Sequence, residues 1–410
     1  MSTRTTCAIV GGGPAGMVLG LLLARAGVEV TVLEKHEDFL RDFRGDTVHP
    51  TTLRLIDELG LWPKFSALPH SRLQRATVDV APGRRVTMVD FGRLRRLPHP
   101  YVAMVPQWDL LNLLAEAGEA EPTFTLRMRT EAVGLIRDVD RVVGVRYRDD
   151  DGFGELHADL TIACDGRNSV LRQQTGLRVR EFPVSFDAWW FRLPRPDDDT
   201  MYTLFPRLAL GKAMIVIPRE EYLQIALLIP KGTDAAQRAR GLDAFRADVR
   251  ALLPEAAAVV DTITDLDQVK HLDVKMNRLS RWHCDGLLFL GDAAHAMSPA
   301  GGVGINVAIQ DGVAAARLLA EPLRAGTVTA RQLAGVRRRR VIATALTQAL
   351  QRLIDRRLLG PILRGNLAGP PPGLVRAVER MPWLTVIPAY LVGVGLRPER
   401  APEFARRPPA

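Results

Sequence analysis

Gly11-Gly12-Gly13-Pro14-Ala15-Gly16 stands between an apolar run, Cys7 to Val10, and a helical pattern from Met17 to Ala26. A second apolar run, Glu29 to Leu33, follows and ends on Glu34. In such a β-turn-α-β unit Gly11 permits the tight turn, Gly13 lets the backbone approach a pyrophosphate and Gly16 lets the helix pack closely. The helix amino-terminus that begins at Pro14 and Ala15 offers free N–H groups and a partial positive charge to phosphates. Glu34 is placed to accept hydrogen bonds from an adenosine ribose, with Lys35 beside it. This is dinucleotide-binding chemistry, and by itself it does not separate NAD from FAD.

Two further strand ends carry acids. Leu160 to Cys164 reads as a buried strand and stops at Asp165-Gly166, continuing Arg167-Asn168-Ser169 with Arg172 beyond. Gly286 to Leu290 is another, stopping at Gly291-Asp292-Ala293-Ala294-His295. The loop after it holds Pro299 and Gly301-Gly302-Val303-Gly304-Ile305-Asn306. A carboxylate at such a strand end can bind a sugar-chain hydroxyl, and a loop of glycine and proline lets bare backbone lie along a flat ring. The helix starting near Ile305 points its positive end at that ring and favours an anion there.

Taken in order and separation, the three motifs resemble those of the class A flavoprotein monooxygenases, the p-hydroxybenzoate hydroxylase-like enzymes. The resemblance covers about residues 5 to 345, the middle region matching only in pattern. It implies FAD as cofactor, with the glycine turn, Glu34, Asp165, Gly166, Gly291, Asp292, His295 and the Pro299 to Asn306 segment as its cradle. Arg44 matches the family's cofactor-contacting arginine, and Gln107 matches a second cofactor-touching position. It also implies that NADH or NADPH reduces the flavin, that O2 then gives a flavin C4a-hydroperoxide, and that a small aromatic or phenolic ring attacks it. Pro299 would line the reaction face.

Asp46 and His49, in the Arg44 to Pro50 loop, are the candidate catalytic groups, since a histidine can titrate near neutrality and take a phenolic proton. The bland alternative is that His49 caps the helix starting near Thr51. Lys35, His36 and Arg41 could attract the extra phosphate of NADPH or could form a solvated surface, so NADH and NADPH both stay open. The rival activity is an FAD-dependent reductase or dehydrogenase of an isoprenoid or quinone-like substrate, without oxygen insertion. Flavin halogenases carry Trp-x-Trp-x-Ile-Pro, which Trp189-Trp190-Phe191-Arg192-Leu193-Pro194 does not match. Larger aromatic-polyketide hydroxylases carry an additional thioredoxin-like domain, for which 410 residues leave no room.

Composition excludes other classes. At 410 residues, 47% hydrophobic and 25% charged, the chain fits two or three globular domains and not a disordered or coiled-coil protein. A net charge of +9 suggests nucleic acid, but only six of the 55 basic residues are lysine, aromatics are 6%, and no reader motif appears. Nucleic-acid binding is not expected. Cys7, Cys164 and Cys284 show neither a disulfide framework nor metal-ligand spacing, so no metal is expected. The first residues lack a secretory pattern, which points to the cytoplasm. No stretch reaches roughly 18 consecutive apolar residues, so no stable membrane insertion is expected. The longest apolar run, Trp383 to Leu396, reads as buried core, with Trp383, Ile387, Tyr390 and Leu391 capping or flanking the pocket. Oligomeric state has no visible signature.

These residues require an α/β fold: a Rossmann-like FAD-binding domain of the glutathione-reductase type, a second mixed or antiparallel sheet for substrate, and a helical C-terminal segment. The expected boundaries are residues 1–75, 101–180 and 281–335 for the first, 76–100 and 181–280 for the second, and 336–410 for the third. Alternation around Pro82-Gly83 predicts a hairpin over Thr77 to Val89. Strands are expected at Ala188 to Leu193, Met201 to Phe205, Ala213 to Ile217 and Tyr222 to Ile229. A helical insert is expected from about Leu242 to Asp261.

Overall fold

The structure, a computed structural model, describes residues 2–40, 47–81, 84–196, 205–219 and 221–408. The chain is α/β, with a parallel sheet, an antiparallel sheet and a helical C-terminal region. Its main sheet aligns Leu287–Phe289, Gly152–Ala163, Ser2–Val10, Val30–Leu33 and Phe124–Arg127, all parallel. The strand Gly152–Ala163 also pairs antiparallel with Arg141–Asp149, which pairs in turn with Glu131–Asp138. The ends of these strands nearest the turns are buried on both faces, as parallel sheets require: every residue of Val30–Leu33 is buried, as are Cys7 to Val10 and Leu160 to Ala163.

The helix Pro14–Arg25 begins with proline at its first turn, where a missing N–H costs nothing. It packs between the helices Gly304–Arg324 and Gln107–Glu119. Gly304–Arg324 belongs to a segment that is long and apolar enough to cross a membrane by length and composition, but most of it is buried inside the protein.

The second sheet is antiparallel throughout, in the order Phe205–Ala209, Lys212–Pro218, Tyr222–Pro230, Phe186–Pro194, Lys270–Leu272. Period-two alternation gives it two apolar faces. Trp189, Phe191, Met214, Val216 and Ile225 pack on the helix Leu242–Leu252. Trp190, Ile215 and Ile217 join Met104, Phe91 and the C-terminal helix Val386–Gly393. The expected helical insert ends early because Pro254 follows Leu253 and pushes it out of helical geometry; Pro254–Thr262 continues as a 3-10 segment. The expected strand at Met201 to Phe205 lies mostly outside the described residues, and the observed strand starts at Phe205. The hairpin is Arg75–Ala81 against Arg84–Asp90, with residues 82–83 outside the described set.

The long helix Ala330–Ile354 starts with a capping box between Thr329 and Gln332. It runs into a π turn, Asp355–Leu359, and a short helix, Gly360–Leu363. Beyond lie Pro372–Arg380, Pro382–Thr385 and Val386–Gly393, which together cover the hairpin. Here the reading of Trp383 to Leu396 as buried core needs correction. Ala389 and Gly393 are buried, whereas Trp383, Ile387 and Tyr390 are among the exposed large hydrophobics. The apolar run is two-faced, and mean hydropathy over a window cannot register which face finds a partner.

Candidate functional site

The three motifs, far apart in sequence, meet at the carboxyl ends of three adjacent parallel strands, where ligands of open α/β sheets bind. Gly11 has φ +105°, and a Cβ there would fall 2.4 Å from the carbonyl oxygen of Cys164. A Cβ on Gly16 would lie 2.1 Å from the carbonyl oxygen of Gly11, so this helix can start where it does only with glycine at both positions. Gly13, the residue before Pro14, differs: nothing lies within 4 Å of its notional Cβ. The turn is packed on two sides and open on the third.

Glu34 is buried at the end of its strand. Its Oε2 accepts the N–H of Gly12 at 2.9 Å and its Oε1 accepts the N–H of His36 at 3.1 Å. Lys35 is exposed beside it. Ala15 lies next to Gly291, whose φ is +56°. Gln107 is the first residue of its helix and half-buried. Asp165 Oδ2 accepts the N–H of Leu171 at 3.4 Å, while its Oδ1 is buried with no hydrogen-bond partner. Burial raises the Asp165 pKa above the ordinary carboxylate value, with Ser169, the Leu171 N–H and Arg172 pulling the other way. Gly166 follows at φ +84°. Asp292 is partly exposed and lies 3.5 Å from Arg167, which links the second and third motifs. Arg44 and Asp46 lie outside the described residues.

The glycine loop is held from several directions. Gly301 and Gly302 both have positive φ. The carbonyl of Gly302 accepts the Thr47 hydroxyl at 2.8 Å and His49 Nε2 at 2.9 Å. Because a carbonyl only accepts, Nε2 carries the proton, and Nδ1 is buried without a partner. Burial pushes the His49 pKa down to about 4, with the Gly302 hydrogen bond opposing, so the ring is neutral at pH 7. His49 stands at the amino end of the helix Pro50–Glu58, yet its side chain makes no capping bond there. Asn306, two residues into the helix after Gly304, accepts the hydroxyls of Thr51 at 2.8 Å and Thr52 at 2.7 Å.

His295 is fully buried with its ring turned inward. Its Nε2 is 2.5 Å from Asp311 Oδ2, and Arg340 Nε donates to Asp311 Oδ1 at 3.0 Å. Burial disfavours the Asp311 charge, but His295 and Arg340 outweigh it and hold its pKa below the ordinary value. Through Asp311 the His295 side chain ties the loop to the helices behind it. On the other flank Gln351 Nε2 donates to the carbonyls of Ser298 at 2.7 Å and Ala300 at 2.9 Å. One turn earlier Gln348 Nε2 donates to the carbonyls of Asn277 and Ala296. Pro299, half-buried, sits between the two carbonyls that Gln351 holds. Val303, Gly304 and Ile305 carry the loop into the helix.

Sequence reasoning missed Thr51, Thr52, Asp311, Arg340, Gln348 and Gln351. Each is a buried polar residue within a helix, which a periodicity argument passes over. An apolar wall adjoins the loop: a Cβ on Gly301 would come within 3.8 Å of Val392, which packs with Trp190, Ile215, Ile217 and Met104. The Trp190 indole N–H is buried there and has no acceptor among the described residues.

Residues 4–349 match the protein family described as FAD binding domain. The chain is 33% identical to the 6-methylpretetramide 4-monooxygenase of Streptomyces rimosus over 87% of this chain and 85% of that protein. It is 27% identical to the uncharacterized aromatic compound monooxygenase YhjG of Bacillus subtilis over 76% of this chain, spanning 60% of that longer protein. Among solved structures it resembles the anhydrotetracycline hydroxylase OxyS of Streptomyces rimosus, with a TM-score of 0.72 and 23% identity over 95% of this chain and 76% of that one. This last likeness concerns the fold alone.

Proposed function

This chain belongs to the FAD-dependent aromatic monooxygenase family, and from that premise we propose that it hydroxylates a phenolic natural-product substrate held between the glycine loop and the antiparallel sheet. The observation that carries the reading is the meeting of the glycine turn, Asp165 and Gly291-Asp292 at the carboxyl ends of three adjacent strands, with the turn open at Gly13.

The residues present fit FAD. The first-turn N–H groups after Gly13 suit a pyrophosphate, Glu34 suits ribose hydroxyls, and the unpartnered Asp165 Oδ1 is a buried acceptor awaiting a donor. Asp292, partly exposed beside Arg167, would take a further hydroxyl. When bound, FAD would take two electrons from NAD(P)H and pass one atom of O2 to the substrate, the other leaving as water.

The chain's own residues position and exclude. His49 and Thr47 hold the Gly302 carbonyl and Gln351 holds those of Ser298 and Ala300, so the loop backbone is fixed from both flanks. A neutral imidazole whose pKa lies near 4 is a weak base at pH 7, so His49 enters this proposal as a positioning residue and not as the proton acceptor. Val392, Ile215, Ile217 and Met104 keep water from the reacting face. Trp190 would donate its free N–H to a substrate oxygen.

The relatives are named monooxygenases, which speaks against the reductase alternative. The test is turnover of 6-methylpretetramide, the first substrate to try, under labelled dioxygen with NADH and NADPH in parallel. Labelled oxygen in the product supports the proposal. Consumption of the substrate to an unlabelled, reduced or dehydrogenated product would overturn it.

A further inference from the structure

The C-terminal cap presents apolar side chains that have no place in any core. Trp383 is 56% exposed, Ile387 47% and Tyr390 46%, with Met381 and Leu374 exposed beside them. Their own elements are firmly seated. Val375 and Val378 pack on Val86 of the hairpin, and Ala389 packs with Phe91, Leu94 and Met104. Trp383, Ile387 and Tyr390 recur at helical spacing of three and four, so they share the outer side of the cap. A fixed apolar face with two aromatics whose rings are amphipathic is what an interface between water and hydrocarbon accommodates.

The rim of that face is basic. Arg376 and Arg380 lie on the helix leading to Trp383, and both are exposed. Arg95 and Arg96 follow Leu94, which packs under the cap, and are exposed too. None of the four has a carboxylate within salt-bridge distance among the described residues, whereas neighbouring Arg84 is taken by Glu379 and Arg93 by Asp90. The one acid on the leading helix is thus already neutralised, and the elements that carry and adjoin the apolar face hold exposed positive charge with no ion-pair partner among the described residues.

We propose that this face is a peripheral docking surface for a bilayer containing anionic lipid. The aromatic and aliphatic side chains enter the headgroup boundary, and the four guanidiniums are attracted to lipid phosphates. Nothing spans the bilayer: the helix Val386–Gly393 has eight residues and its inner side is committed to the hairpin. The same helix carries Val392 into the wall of the proposed chamber, so a lipophilic substrate partitioned into the membrane would meet the protein on the chamber side. The docking inference itself does not depend on the flavin reading.

The experiment is co-sedimentation of the whole protein with vesicles of neutral phosphatidylcholine, and of phosphatidylcholine mixed with phosphatidylglycerol. The expected result is binding to the mixed vesicles only, weakened by high salt. Trp383→Ser with Ile387→Ser should lower that binding by roughly tenfold or more while thermal melting stays as in the unaltered protein. Arg376→Gln with Arg380→Gln should weaken binding to the mixed vesicles with the apolar face intact. Failure to sediment with either vesicle, or sedimentation of the Ser pair like the unaltered protein, overturns the proposal. So does light scattering that shows a dimer which the Ser pair converts to a monomer, because a second copy would then cover the face.

Discussion

His49 Nε2 and the carbonyl oxygen of Gly302 lie 2.9 Å apart, joining two loops 253 residues distant in sequence across the edge of the site. The bond requires a proton on Nε2, which the neutral ring supplies, and burial keeps the ring neutral by lowering the pKa to about 4 against the opposing pull of this bond. In the unfolded chain the same group has the ordinary value near 6.5. Between these values the unfolded state binds more protons, so stability falls as pH drops from about 6.5 to about 4, by up to about 3 kcal/mol from this group. Denaturant melts across that pH range should show the loss, and His49→Asn should flatten it. A variant whose acid sensitivity matches the unaltered protein would remove His49 from this role.

Asp311 is enclosed by His295 and Arg340 with almost no exposure of any of the three. Asp311→Ala leaves the Arg340 guanidinium buried without its carboxylate and should cost about 3–5 kcal/mol of stability. Urea unfolding would measure it. Asp311→Asn, which keeps an acceptor, should cost less.

Gly13→Asp separates binding from folding. The notional Cβ at this position meets nothing within 4 Å, so the apoprotein should melt as the unaltered protein does, yet retain no FAD because bulk and negative charge would face the pyrophosphate. Gly11→Ala should do the reverse of this at the level of folding. Its Cβ would collide with the Cys164 carbonyl at a φ of +105°, and the fold itself should weaken. Absorbance of bound flavin together with a thermal melt distinguishes the two.

Gln351→Leu removes the only hydrogen bond that its side chain gives to each of the Ser298 and Ala300 carbonyls. Loss of this donor from the buried Ser298 carbonyl and the part-buried Ala300 carbonyl should lower stability by about 1–3 kcal/mol. The looser loop should also release more hydrogen peroxide per NAD(P)H consumed. Gln348→Leu, which takes a donor from the Asn277 and Ala296 carbonyls while Ala296 keeps the Asn277 N–H, is the comparison: destabilisation with less effect on peroxide.

Much of this was legible because it is local. The glycine turn, the helix start at Pro14 and the acid at Glu34 lie within one unit, and strand, turn and helix each impose residue types at fixed offsets. The strand ends at Asp165 and Asp292 were legible for the same reason: a short apolar run stopping on an acid is visible without knowing its neighbours. The antiparallel sheet showed itself as alternation, but the break at Pro254 and the strand beginning at Phe205 depended on context that a window average smooths over.

The sequence by itself determined the strands ending at Val10, Leu33, Ala163 and Phe289, though not Phe124–Arg127, and where a dinucleotide's phosphates could sit, since these follow from chain stereochemistry over a few consecutive residues. Only the tertiary structure decided what His49, His295 and Gln351 do. A polar side chain in a helix or loop has no intrinsic partner, and its partner here comes from an element as far as 253 residues away. The same holds for Trp383, Ile387 and Tyr390. Hydrophobicity measures the preference to leave water, and whether a core is there to receive the side chain is a property of packing that no single segment contains.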